Sequence, residues 1–163
     1  MPVSDPLPAK CDTRVRQLFD YWRSLARAPD VLPSRAGFDP AQVPKLLPYV
    51  WMLDVQRAPL RFRYRLIGTA HTTATGRDYT GQWMDEAHAA QRVQESPLYP
   101  ELRAVAEEGR PAFRSGPPTI HLDRDYIRLE TLLLPLASDG KTVDVVLGIT
   151  VYLLPDREAP KTA

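Results

Sequence analysis

The side chains able to do chemistry are few and widely spaced. Three histidines (His71, His88 and His121) are potential ligands for a metal or a haem iron, and one cysteine, Cys11, is a potential thiolate. A zinc site would need the fold to gather the three histidines, because no H-x-x-H or H-E-x-x-H spacing occurs. Haem needs an axial histidine on a helix facing a cavity. His71 and His88 fall in helical stretches, but in polar runs, where a surface or cap role is the ordinary expectation. His121 stands beside Asp123 and Asp125. A single cysteine excludes an internal disulfide and any multi-cysteine centre. Nucleophilic catalysis finds no G-x-S-x-G elbow, and Ser115 and Ser138 read as turn residues. Glu107 and Glu108 are adjacent on a helical stretch, so their carboxylates diverge and read as solvated surface. G-R-D-Y-T-G at 76–81 is neither a dinucleotide fingerprint nor a phosphate loop. The expectation is a protein that is not an enzyme and holds no metal or cofactor.

Bulk composition points to a single globular domain. The chain has 163 residues with 21 basic and 20 acidic side chains, a formal charge of +1. Such a balance gives no electrostatic footprint for nucleic acid. Leu, Ile, Val and Phe make up about a quarter of the residues, above the ~20% below which chains stay disordered. No apolar run suits a signal peptide or a membrane span, so a cytoplasmic protein without membrane contact is expected.

Seventeen prolines divide the chain, because proline interrupts both helices and central strands. Residues 1–10 read as a disordered tail. Residues 11–28 read as a helix capped by Asp12 or Thr13 and stopped by Pro29. Its apolar stripe of Val15, Leu18, Phe19, Trp22, Leu25 and Ala26 must be buried somewhere. Residues 29–48 read as a proline-rich linker with a short helical turn at 41–47. Strands are expected at Tyr49–Gln56 and Leu60–Leu66, joined as a hairpin through Arg57-Ala58-Pro59. In the second, Leu60, Phe62, Tyr64 and Leu66 alternate with Arg61, Arg63 and Arg65. Short helices follow at Thr69–Thr75 and Asp85–Glu95, then a helix carrying Leu98, Leu102 and Val105 that ends at Gly109. An irregular edge strand spans Ala112–Leu122. Long strands cover Tyr126–Leu136 and Val143–Leu154, with Val143, Val145, Leu147, Ile149 and Val151 on one face. Pro135, inside the first of these, predicts a bulge or an unpaired position. Residues 155–163 read as a tail.

Two strands, a helical insert and three meandering strands describe an α+β domain with its helices on one sheet face. The chain resembles the PAS fold, in a branch of single-domain bacterial proteins. Tyr21-Trp22, Arg35, Phe38-Asp39-Pro40, Leu46-Leu47-Pro48, FRYRLIGT at 62–69, GRDYTGQWMDE at 76–86, YIRLETLLLPLASDG at 126–140 and VDVVLG at 143–148 carry the likeness. The resemblance implies a five-stranded antiparallel sheet in the order 2-1-5-4-3, spanning 49–154. It also implies a sensory or interaction role, with a pocket between the inner sheet face and the insert. Flavin photochemistry would need a cysteine within 68–109, and none is present.

On that fold, Trp51, Leu53, Tyr64, Leu66, Ile127, Leu129 and Thr131 are expected to floor the pocket. Tyr79, Trp83 and Met84 would form its lid, and His71, Tyr79 or Arg114 its polar anchor, for an aromatic or anionic metabolite. Asp54 is expected to pair with the arginines of the second strand. The outer face, with Met52, Leu132, Val146 and Tyr152, would receive the Trp22 helix of the same chain or of a partner. Leu18, Phe19, Trp22 and Leu25 are therefore the expected dimer contacts. Outside 11–154 too few residues remain for an output module, which favours a regulatory homodimer acting through an unidentified signalling protein. A ligand-free interaction module is the alternative, and a haem sensor a more distant one.

Overall fold

The computed structural model describes residues 4–118 and 128–154. It forms one five-stranded antiparallel sheet, β1 (Val50–Gln56), β2 (Arg61–Ile67), β3 (Ala112–Gly116), β4 (Arg128–Leu136) and β5 (Val145–Leu153), in the order β2-β1-β5-β4-β3. This is the order expected, and the alternation within each strand sorts its side chains into two apolar layers. One layer gathers Val50, Met52, Leu132, Leu134, Leu136, Leu147, Ile149 and Val151 on the outer face. The other gathers Trp51, Leu53, Phe62, Leu133 and Val146 on the inner face, beneath the helices of the insert. Val146 thus faces inward, as the alternation along β5 dictates, and not outward with Met52. Val143 lies ahead of the strand and joins the inner layer.

Helix α1 (Thr13–Ser24) covers the outer face. Asp12 caps it by accepting from the Arg14 N–H, a contact worth roughly 0.5–2 kcal/mol. Leu18 and Phe19 have no exposed surface and Trp22 only 2%; each such burial is worth about 1.5–3 kcal/mol. Leu25 packs half-buried against the same cluster. The stripe expected at a dimer contact is thus buried on the chain's own sheet. Within the stretch 1–10, expected as a disordered tail, Leu7 packs on this layer and Asp5 pairs with Arg16. Residues 1–3 and 155–163 lie outside the described residues.

Pro135 sits without a bulge, paired in register with Val146. In a strand, a residue's N–H and C=O point to the same side. The Pro135 carbonyl accepts from Trp22 Nε1 at 2.9 Å, so its missing N–H also faces away from β5. On that side β3 has already ended, at the Ala112–Leu133 pair. Two residues on, the Ala137 N–H is taken by the Pro33 carbonyl of the linker. The position is unpaired with β3, as the proline requires, and the linker continues the edge. Within that linker the expected turn at 41–47 is replaced by three 3-10 turns at Arg35–Gly37, Pro40–Gln42 and Leu47–Tyr49.

The insert runs through α2 (Thr69–Thr75), α3 (Met84–Ala87), two 3-10 turns and α4 (Leu98–Glu108). Gly76 and Gly109 end α2 and α4 in the left-handed region, at φ 73° and 67°, where glycine carries no steric penalty. Arg57, at the β1–β2 turn, donates to the Val143 and Ala106 carbonyls and ties the hairpin to the end of α4. Among the described residues no helix is long and apolar enough to cross a membrane.

Candidate functional site

A cavity of about 80 Å³ lies between the inner sheet face and the insert. Its floor comes from alternate residues of three strands: Trp51 of β1, Leu129 and Thr131 of β4, Thr150 and Tyr152 of β5. Its walls and lid are Tyr64, Ile67, His71, Thr75, Tyr79, Met84, His88 and Leu98. Trp51 lies flat on the sheet because position 148 is glycine: a Cβ there would stand 2.2 Å from the indole ring. In that pose its Nε1 donates to Thr150 Oγ1 at 3.1 Å, and Thr150 shares a second hydrogen bond with Thr131.

Two histidine–tyrosine pairs close the ends. Tyr64 and His88 Nε2 share a hydrogen bond of 2.7 Å, and the Tyr79 ring stacks on Tyr64 and lies 4.5 Å from the His88 ring. Burial pushes the Tyr64 hydroxyl well above its ordinary range, with Tyr79 adding to the effect, so it stays protonated. At the other end the Tyr152 hydroxyl meets His71 Nδ1, while His71 Nε2 is buried with no hydrogen-bond partner among the described residues. Burial lowers the His71 imidazole to about 4, against a weaker opposing hydrogen-bond contribution of the Tyr49 backbone. At neutral pH the ring is therefore uncharged and one ring nitrogen is unsatisfied.

Trp51, Tyr64, His71, Tyr79, Met84, Leu129 and Thr131 meet in the cavity as expected, and four positions depart from expectation. Leu66 is 39% exposed, because the β1–β2 register slips between Met52 and Leu53. The resulting bulge turns Leu66 to the outer side and puts Ile67 inward beside Trp51. Leu53 is fully buried but belongs to the adjoining core under α4. Trp83 is not a lid: it bridges to Arg63 on the free edge of β2, with the Arg61 guanidinium 4.3 Å above its ring. Arg61 in turn holds Asp85 and Glu86, while Arg63 and Arg65 pair with Asp54. Arg114 begins opposite Thr131, but its guanidinium folds back to donate to the Pro117 carbonyl. Ile127 and His121 lie outside the described residues.

Sequence reasoning missed His88, Ile67, Thr75, Leu98, Thr150 and Tyr152. His88 follows Met84 by four residues, the spacing that shares a helix face, so a signal was present. Tyr152 follows Thr150 and Gly148 on the alternation opposite Ile149 and Val151, which places it inward rather than outward. Ile67 had no signal, since a bulge leaves no mark in this stretch of sequence.

A model of the PAS domain family matches residues 12–151. The chain belongs to the PAS domain family. The match takes in α1 and the linker as well as the sheet, in keeping with their packing on the outer face. No curated protein matches the chain. For this PAS domain the family supports a sensory or interaction module. Its cavity is about half the size of the roughly 150 Å³ apolar cavity that accepts benzene, so in this shape it has no room for haem. Among the described residues no group of three potential metal ligands converges.

Proposed function

We propose that this PAS domain is a sensor that takes a small molecule into the cavity between β1, β4, β5 and α2. It then passes occupancy to a partner protein, either a second copy of itself or another signalling protein. The observation that carries this reading is His71 Nε2, a buried polar atom with no partner among the described residues, in a cavity that also holds three hydroxyl-bearing residues of β4 and β5. An unpaired buried polar group costs about 1–3 kcal/mol, which a ligand group bonded to it would recover. Tyr152 offers a route outward. It lines the cavity and also an outer groove with Arg14, Tyr49, Thr69 and Leu154, next to α1. A ligand that reorders the His71–Tyr152 pair would alter that groove, and a partner that prefers one arrangement would read the change.

A thermal-shift screen of small metabolites against the wild type and His71→Phe tests the reading. At a hundredfold excess over Kd a ligand stabilises by about 2.7 kcal/mol, roughly 5–10 °C in a chain of this size. The expected result is such a shift in the wild type and its loss in His71→Phe. A screen in which no small molecule shifts the wild type would leave a ligand-free interaction module as the better account.

A further inference from the structure

The polar atoms left over in the cavity define a chemical class of ligand. We propose that the cavity selects a small uncharged molecule with a carbonyl acceptor beside an N–H donor, such as a primary amide, over the carboxylate of the same shape. This rests on the sensor reading above and narrows it.

Charge comes first. Among the described residues no Asp, Glu, Lys or Arg lines the cavity. The arginines that could have faced an anion are engaged elsewhere: Arg114 with the Pro117 carbonyl, Arg61 with Asp85 and Glu86, Arg63 and Arg65 with Asp54. The titratable groups around the cavity are Tyr152, which faces His71 directly, and Tyr64, Tyr79 and His88. The Tyr64 hydroxyl stays protonated and the His71 imidazole uncharged at neutral pH. A buried carboxylate would lie there without a counter-charge, the costliest form of burial.

Proton counting then identifies the groups on offer. Thr150 Oγ1 accepts from Trp51 Nε1, and one hydrogen bond joins Thr131 and Thr150. That bond consumes one of the two hydroxyl protons, whichever residue donates. The other has no acceptor among the described residues, so the floor always presents one O–H donor. At the wall, His71 Nε2 is a donor if the Tyr152 hydroxyl donates to Nδ1, and an acceptor if the direction is reversed. A primary amide satisfies the floor through its oxygen. It meets His71 in either tautomer, through its oxygen or its NH₂. A carboxylate offers only acceptors. The volume of about 80 Å³ limits the molecule to fewer atoms than a six-membered ring, by comparison with the cavity of roughly 150 Å³ that takes benzene.

The probes are propionamide and propionate, five non-hydrogen atoms each, titrated into the full chain by ligand-observed NMR at about pH 7 and about pH 5.5. Ligands of this size bind in the millimolar range at ordinary efficiency. The expected result is about tenfold tighter binding of propionamide at both pH values, since a missing hydrogen bond or an unpaired charge is worth that or more. His71→Phe should weaken propionamide about tenfold. The amide-to-acid ratio in the wild type needs no variant, so it stands even if the variant fails to fold. Propionate binding as tightly as the amide, and tightening as pH falls, would overturn the class while leaving the cavity as a ligand site. If neither probe binds, the class fails; if the wider metabolite screen is also blank, the sensor reading fails with it.

Discussion

His71 concentrates the physical tension of the molecule in one side chain. An imidazole with an ordinary value of 6.5 is lowered to about 4 by burial. The unfolded chain therefore binds a proton between those values that the folded chain refuses. Linkage makes stability rise with pH across that window, by up to about 1.4 kcal/mol per unit, and fall again on acidification from 6.5 towards 4. Urea melts at intervals between pH 4 and 6.5 should show this loss, and His71→Phe should flatten it. A wild-type stability that is level across the window would contradict the buried, neutral state. Asp12, Asp85 and Asp139 are lowered by hydrogen bonds from Arg14, Arg61 and the 139–142 turn, so their contributions are lost only at more acid pH. In the sequence His71 could be named as a polar anchor but not as a buried one. Burial is a property of what packs around it, and its neighbours Tyr152 and Trp51 lie 81 and 20 residues away.

At the scale of elements, two local departures from regular structure shape the cavity. The bulge in β2 exchanges Leu66 for Ile67 on the inner face, and the glycine at 148 in β5 lets the Trp51 indole lie flat on the sheet. Gly148→Ala would set a methyl group 2.2–2.5 Å from three atoms of that ring, a contact that neither β1 nor β5 can relieve without moving. A destabilisation of about 1–3 kcal/mol is expected, as for other overpacked cores. Tryptophan fluorescence should report a displaced Trp51, and propionamide binding should weaken with it. An alanine variant with unchanged stability and fluorescence would show that Trp51 has another seat. The elements themselves were readable: α2 falls at Thr69–Thr75 as expected, and the β1–β2 hairpin follows from its alternation. The bulge was not, because it arises from how two strands pair.

The whole molecule is a sheet sandwiched between two unlike layers. α1 and the linker cover the apolar centre of one face, and the insert covers the other around a small cavity. Removing residues 1–24 would uncover Met52, Leu132, Leu134, Leu147 and Ile149, which are 0–1% exposed in the intact chain. Light scattering should then find association or aggregation of the truncated chain where the intact chain keeps a defined mass. A truncated chain that remains folded and of unchanged mass per particle would show that α1 is dispensable. Periodicity and proline placement determined the order of the main helices and strands and the α1 stripe, and the motifs that resemble PAS domains pointed to the family. Those features depend on neighbours a few residues apart or on strand alternation, both of which are written linearly. Tertiary structure alone decided that α1 lies on its own sheet, that Trp83 and Arg114 turn away from the cavity, that His88 and Tyr152 line it, and that His71 is buried there. Each of these depends on contacts between distant segments, and on which hydrogen bonds remain unfilled once those segments have packed.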